Sequence, residues 1–310
     1  MRAMHDKQLS TIFVSIASYR DLECYHTIKN IFDKASNPNR VYIGVVWQYM
    51  PDIDPHNVQN DYSDNVKIIK IDARESRGVC WARSKAQSLW SGQEFYLQVD
   101  SHSRFVDNWD VILFEEIEKC NSDKVVLSTI CMQYTPPNEY GPLAATTMRI
   151  DGFNNDRLPF FKGIRHEENI PSPVPSPWVC GHFLFCSSKI ILECPYDPYL
   201  YFYGEEISLA SRLWTSGWDI FAPSRGIVFH GYSVVHRHWK DHKNGSLLNE
   251  MAYKRVRHLL GIEITDDANV LYDLNKYSLG CNRLLSDYER FAHIDLKNNL
   301  IFKKKPDSLP

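Results

Sequence analysis

The stretch Glu94-Phe95-Tyr96-Leu97-Gln98-Val99-Asp100-Ser101-His102-Ser103-Arg104-Phe105-Val106 decides how the chain is read. Residues 95–99 form a short apolar and aromatic run, long enough for one buried strand, that ends abruptly in Asp100-Ser101-His102. Side chains at i and i+2 of a strand end point to the same side, so the Asp100 carboxylate and the His102 imidazole can converge on one ion. A carboxylate oxygen paired with an imidazole nitrogen suits Mn²⁺ or a similar borderline cation better than Ca²⁺. In an open α/β sheet, ligands collect outside the carboxyl ends of the strands, where this triplet would stand. The competing reading is a plain turn, because Asp, Ser and His are common in turns and Asp-Ser pairs cap helices. Alone, the triplet favours the turn, and the rest of the chain shifts the balance.

Upstream, residues 11–17 read as a strand that Ser18-Tyr19-Arg20-Asp21 breaks, opening a helix to about Lys34. After a turn at Asn37-Pro38-Asn39, residues 41–48 form an apolar strand of the kind buried on both faces in a parallel sheet. A polar loop over 50–65 leads to a third strand at 66–71, a loop at 74–78 and a helix over 79–90. Strands alternating with helices predict an α/β sandwich with a largely parallel sheet. These strands carry no GxGxxG or GxxxxGK[ST] loop, so the phosphates of any nucleotide would rest on a metal ion or on arginines.

Downstream, residues 109–120 read as a helix and 124–132 as a strand. Residues 133–177 lack periodicity, which predicts a binding loop or lid. Residues 178–185 resume the core as a strand, and Gly181 near its start marks a close approach to the backbone. An aromatic run over 196–203 precedes Gly204-Glu205-Glu206 and a helix over 207–216. Two strands follow, at 219–223 and 227–232, the second carrying His230. From residue 247 two helical patterns flank an Asp-rich linker, which predicts a domain over 10–245 and a helical appendage over 246–310, ending in a solvated Lys303-Lys304-Lys305 tail.

With 44% hydrophobic residues among 310, the chain can bury a sizeable core. Its 35 Lys+Arg against 38 Asp+Glu leave a net charge of -3, which argues against a nucleic-acid partner. No run of 18 apolar residues predicts a transmembrane segment, and the first nine residues lack the apolar core of a signal peptide. The eight cysteines form no CxxC pair and several sit in apolar runs, so reduced thiols and a cytoplasmic location are expected.

Asp100-x-His102 at one strand end, Gly204-Glu205-Glu206 at a helix start and His230 at a later strand end together resemble the metal-dependent nucleotide-sugar glycosyltransferases of GT-A fold. More narrowly, Ile12 to Asp21, Gln98 to Val106 with Trp109-Asp110, Tyr203-Gly204-Glu205-Glu206, Tyr277-x-Leu279-Gly280 and Asp287-Tyr288-Glu289 are similar to one GlcNAc-transferase family. That family is typified by the cytoplasmic enzyme that modifies hydroxyproline on Skp1, and the likeness runs from about residue 11 to 295. Asp-Ser-His, Arg83 and Gly-Glu-Glu more distantly resemble the polypeptide GalNAc-transferases.

The resemblance implies a GT-A sandwich and Mn²⁺ (or Mg²⁺) held by Asp100, His102 and His230. Ser18, Tyr19 and Arg20 would face the uridine of a UDP-sugar, UDP-GlcNAc first, with Arg83 near the nucleotide. Gly181 would stand near the donor sugar, with Glu205 and Glu206 as the catalytic carboxylates. The sugar would pass with retention to a protein or glycan hydroxyl, by same-face departure and attack with the diphosphate oxygen as base. Plainer readings stand beside these: His230 as a core histidine, Glu205 and Glu206 as helix N-terminal charges, and Arg77 and Arg83 as solvated cations. His236, His238 and His242 lie close to His230, so the distal ligand stays open, with strand-end placement favouring His230. A bacterial surface-polysaccharide transferase with another donor and a non-catalytic nucleotide- or carbohydrate-binding module are the alternatives.

Overall fold

A computed structural model describes residues 10–54, 64–233, 236 and 238–302. The expectations for the first nine residues, for 55–63 of the polar loop and for Lys303–Lys305 lie outside them. The first half alternates as its sequence requires: β1 (Ile12–Tyr19), α1 (Glu23–Lys34), β2 (Val41–Tyr49), β3 (Val66–Asp72), α2 (Val79–Gln87) and β4 (Phe95–Asp100). β4, β1, β2 and β3 lie side by side and parallel, with Ala17 level with Asp100. β2 is buried along almost its whole length, as its unbroken apolar run demands.

The chain continues through β5 (Ser103–Phe105), α3 (Trp109–Glu118), β6 (Val125–Leu127), β7 (Met132–Thr135), β8 (Glu139–Tyr140), β9 (Thr146–Phe153), β10 (Pro159–Arg165), β11 (Val174–Pro175) and β12 (Phe183–Ser187). Then come α4 (Ile190–Glu193), α5 (Glu205–Thr215), β13 (Asp219–Ala222), β14 (Val228–His230), α6 (His238–Asp241), α7 (Gly245–Leu259), α8 (Ala268–Leu271) and α9 (Leu285–Ala292). The main sheet has the order β11-β13-β6-β12-β4-β1-β2-β3, and β11 and β12 run against the other six. A smaller sheet, β5-β14-β7-β8, closes over the carboxyl end of β4. No helix among the described residues is long and apolar enough to cross a membrane.

Four local expectations change. β1 runs on to Tyr19, and it is the left-handed Arg20 (φ 49°) that turns the chain. The strand expected over 124–132 is two strands in different sheets, because Ser128 and Thr129 leave the ladder and bond Phe183 O (2.7 Å) and Thr146 O (2.9 Å) instead. Residues 133–177 are not an irregular loop but hold β7, β8, the β9–β10 hairpin and β11; the half-exposed hairpin lacks the strict alternation that reveals a strand. The strand expected from Trp178 begins only at Phe183, so Gly181 lies in the turn before it.

The C-terminal helices pack on the core. Ala252 and Val256 of α7 and Tyr288 and Ala292 of α9 share one buried cluster with Trp178, Leu213 and Trp218. Several residues of the family-like motifs are structural clamps. Tyr288 Oη donates to Pro177 O (2.9 Å), and a Cβ on Gly280 would stand 2.4 Å from Ser216 Oγ. Asp110, fully buried, accepts from Arg40 Nη2 (2.7 Å) and from the backbone amides of Ser36 (2.7 Å) and Asn37 (3.1 Å), tying α3 to the end of α1. Removing one partner of a buried ion pair leaves an uncompensated charge. Asp110→Ala is therefore expected to cost about 3–5 kcal/mol, read by urea denaturation; wild-type stability would refute the clamp.

Candidate metal centre and cleft

The pairing of β14 with β5 sets His230 level with Ser103, and Gly231 N–H donates to His102 O (2.9 Å). Thr27 of α1 grips the turn between β4 and β5, donating to Ser101 O (2.7 Å) and accepting from Ser103 N (2.9 Å). Asp100 Oδ2 thus comes 3.2 Å from His230 Nε2 and 3.8 Å from His102 Nε2. One ligand atom from each of Asp100, His102 and His230 lies within 4.8 Å of the others, the spacing of a metal site. The neighbouring histidines turn elsewhere. His242 has Tyr201 Oη at Nδ1 (3.0 Å) and Ala73 O at Nε2 (3.1 Å). His238 packs edge-on against Tyr19, Tyr201 and Phe202, and both it and His236 line the cleft without joining the Asp100–His102–His230 group.

Arg83, only 4% exposed, lies behind Asp100 of this candidate set. It donates to Asp100 Oδ1 (2.9 Å) and to Glu205 Oε1, and the Cys80 thiol one turn earlier on α2 donates to Glu205 Oε2 (2.9 Å). Arg83 is thus committed to two carboxylates. A Cβ on Gly181 would lie 2.3 Å from Glu205 Oε1 and 2.9 Å from Arg83 Nη1, so only glycine leaves room for the pair. Gly181 N–H in turn donates to Glu206 Oε1 (2.8 Å). Burial would raise the Asp100 carboxyl, but the His230 hydrogen bond and the charges of Arg83 and His102 outweigh it and hold it far below the carboxylate range. Burial, helped by the charge of Glu205, lifts the Glu206 carboxyl to about 7.

Two further residues escaped the sequence reading. Asp21 Oδ2 accepts from Ser101 Oγ (2.6 Å) and bonds His102 Nδ1 (2.7 Å). Burial opposes ionisation of Asp21, yet the His102 and Ser101 bonds lower its pKa. His182 stacks on His230 at 4.2 Å, accepts from Cys131 N–H at Nε2 (3.0 Å) and is kept neutral chiefly by burial. Asp21 stands inside the quoted opening motif but read only as the opening of a helix, and His182 directly follows Gly181; neither position has a periodic signal.

A cleft of about 390 Å³ opens in front of these groups, walled by Ala17, Tyr19, Gly181, Tyr203, Glu205 and Glu206 beside Asp100, His102 and His230. A second cavity of about 320 Å³, lined by Arg20, Trp47, Tyr49 and Asp54, lies against His102. The Arg20 guanidinium is held by Asp54 (2.8 and 3.0 Å) and Asp241 (3.1 Å). Ser18 is fully buried and lines neither space. Residues 133–177 contribute only Pro136, to the second cavity, and nothing to the main cleft, so they do not form the expected lid there.

A family model described as Glycosyltransferase (GlcNAc) matches residues 11–63 and 55–298. No curated protein sequence matches. Among solved structures, GalNAc-T7, crystallised with UDP, GalNAc and Mn²⁺, superposes with a TM-score of 0.64 at 15% identity, over 93% of this chain and 58% of that one. This chain therefore spans less than two thirds of that relative. A 1–349 fragment of S. aureus TarS aligns over 86% of this chain and 70% of its own, at 11% identity and a TM-score of 0.49. The fold is α/β of the GT-A glycosyltransferase type, with a large, mostly parallel sheet.

The raised Glu206 carboxyl has a consequence for stability. A carboxyl whose folded pKa is about 7 against an ordinary 4.5 binds its proton more tightly in the folded state. Its contribution is fully present below pH 4.5 and is lost as pH rises through 7, by roughly 3 kcal/mol. Glu206→Gln keeps an acceptor for Gly181 N–H but cannot ionise. The fall in melting temperature between pH 5 and 8 should be shallower in Glu206→Gln than in the wild type; parallel curves would contradict the shift.

Proposed function

The chain belongs to the GlcNAc glycosyltransferase family, and on that premise we propose that it moves N-acetylglucosamine from UDP-GlcNAc to a hydroxyl, metal-dependently and with retention. One observation carries this reading. Among the described residues, Arg83 and Arg20 are the only Arg or Lys side chains lining the cleft and the adjoining cavity, and carboxylates hold both. A nucleoside diphosphate carries two or more negative charges, so a site for it built this way needs a divalent cation. Asp100, His102 and His230 would hold that cation, and one carboxylate with two imidazoles suits Mn²⁺ better than Mg²⁺. Bound there, the ion would neutralise charge developing on the departing diphosphate.

The chain's own residues divide the remaining work. The aromatic second cavity, with Arg20, Trp47, Tyr49 and Asp54, would take the nucleoside, and Tyr19 would stand between it and the main cleft. Ser18 would contribute through its backbone alone, since its side chain is buried. Gly181 and Glu206 would line the sugar end, where a carboxyl titrating near 7 can donate or accept a hydrogen bond. Arg83 would fix Asp100 and Glu205 rather than grip phosphate. With Glu205 spent on Arg83 and Cys80, a same-face attack assisted by a diphosphate oxygen accounts for retention better than a covalent intermediate through Glu205.

The acceptor would be a protein hydroxyl, in line with the Skp1-type likeness, or a glycan. Residues 10–245 would form the catalytic body and 246–310 a helical buttress. Free and mostly buried cysteines suit a cytoplasmic location.

Hydrolysis of a panel of nucleotide sugars, with and without Mn²⁺, tests this reading. UDP-GlcNAc should be cleaved with Mn²⁺ and barely without it, and folded Asp100→Ala should be inactive. Preference for another donor would favour a polysaccharide-type transferase, and no cleavage of any donor would favour a binding module. His230→Ala should raise the Mn²⁺ concentration for half-maximal hydrolysis by more than about 100-fold, beyond what loss of an outer-shell partner costs. His242→Ala should leave it nearly unchanged, and a larger loss there would move the distal ligand beyond β14.

A further inference from the structure

β1 and β4 are neighbours in register, so the chain just past Tyr19 runs beside the chain just past Asp100. The left-handed turn at Arg20, pinned by Arg20 N–H to Gln48 O (2.8 Å), swings Asp21 towards His102. The two oxygens of Asp21 then do different jobs. Oδ1 accepts from the N–H of Glu23, the first residue of α1 (3.0 Å). Oδ2 meets the Ser101 hydroxyl at 2.6 Å and His102 Nδ1 at 2.7 Å. A carboxylate only accepts, so the proton of a neutral His102 sits on Nδ1 and the lone pair of Nε2 faces Asp100 Oδ2, 3.8 Å away.

We infer that Asp21 is a positioning residue of the metal centre, whose carboxylate fixes the tautomer and ring orientation of His102 so that Nε2 is offered to the cation. The inference rests on Asp100, His102 and His230 being metal ligands. It gives a physical reason for an acidic residue at this point of the opening motif: one side chain couples the first helix to the ligand set. Ser101, between the two ligands, supplies a second donor to the same Asp21 oxygen that meets His102. Partners of this kind keep a ligating imidazole basic and correctly turned, and losing one costs roughly 10- to 100-fold in metal affinity.

The rival role is helix capping alone, and two substitutions separate the roles. Asp21→Ser keeps an oxygen for Glu23 N–H, a favoured way to begin a helix, but is too short to reach His102. Asp21→Asn has the shape of Asp and an acceptor without charge. Two readouts apply: Mn²⁺ affinity with UDP present, from the EPR signal of the free ion, and the His102 tautomer in metal-free protein, from its ¹⁵N shifts. Asp21→Ser should weaken Mn²⁺ binding roughly 10- to 100-fold and remove the dominance of the Nδ1–H tautomer. Its metal-free melting temperature should stay near that of the wild type. Asp21→Asn should fall between the two, and it decides by the same readouts if the serine variant does not fold. Unchanged affinity and tautomer in these variants, with binding abolished in Asp100→Ala, would overturn the inference and leave the metal site standing. No Mn²⁺ binding by the wild type would overturn the metal site and this inference with it.

Discussion

Two carboxylates from distant parts of the chain, Asp100 at the end of β4 and Glu205 at the start of α5, meet across the buried guanidinium of Arg83, and the cleft depends on that contact. A guanidinium has the planar fork to serve both carboxylates at once. With Oδ1 of Asp100 taken by Arg83, Oδ2 is left for the histidines. With Glu205 anchored, the first turn of α5 brings Glu206 to the backbone of Gly181. Two glycines make the approach sterically possible. A Cβ on Gly181 would collide with the ion pair, and one on Gly78, at φ 104° ahead of α2, would lie 2.2 Å from Tyr201 O. The sheet brings strands together; the buried ion pair ties two of the cleft's walls to each other.

What the sequence disclosed follows from what is local. Asp100 and His102 were legible as neighbours because they are two residues apart at the end of β4, although the turn gripped by Thr27, not strand periodicity, sets His102; β1 and β2 were legible because an apolar run has few other places to go. His230 was legible as the end of a strand, but its meeting with His102 comes from the β5–β14 pairing, which nothing in either segment specifies alone. Arg83 read as a residue near the nucleotide or as a solvated cation; its partner Glu205 lies 122 residues away, beyond the reach of any spacing argument. The hairpin within 133–177 escaped because its strands are half exposed and so lack a hydrophobic face. Motif residues such as Asp110 and Tyr288 were quoted as signs of family, and here they hold helices to the core.

The same residue economy shapes the proposed chemistry. The cleft offers oxygen and nitrogen ligands in front and spent cations behind, an arrangement suited to an anionic donor only when a metal ion completes it. Asp21 and His182 brace two of the three candidate ligands, Asp21 by a hydrogen bond to His102 and His182 by stacking on His230.

Pulsed EPR of the Mn²⁺ complex in the presence of UDP tests the central claim most directly, because modulation from directly bound ¹⁴N counts the imidazoles on the metal. The account predicts two histidine nitrogens in the wild type and one in His230→Ala. No nitrogen coupling in the wild type, or two nitrogens persisting in His230→Ala, would contradict it.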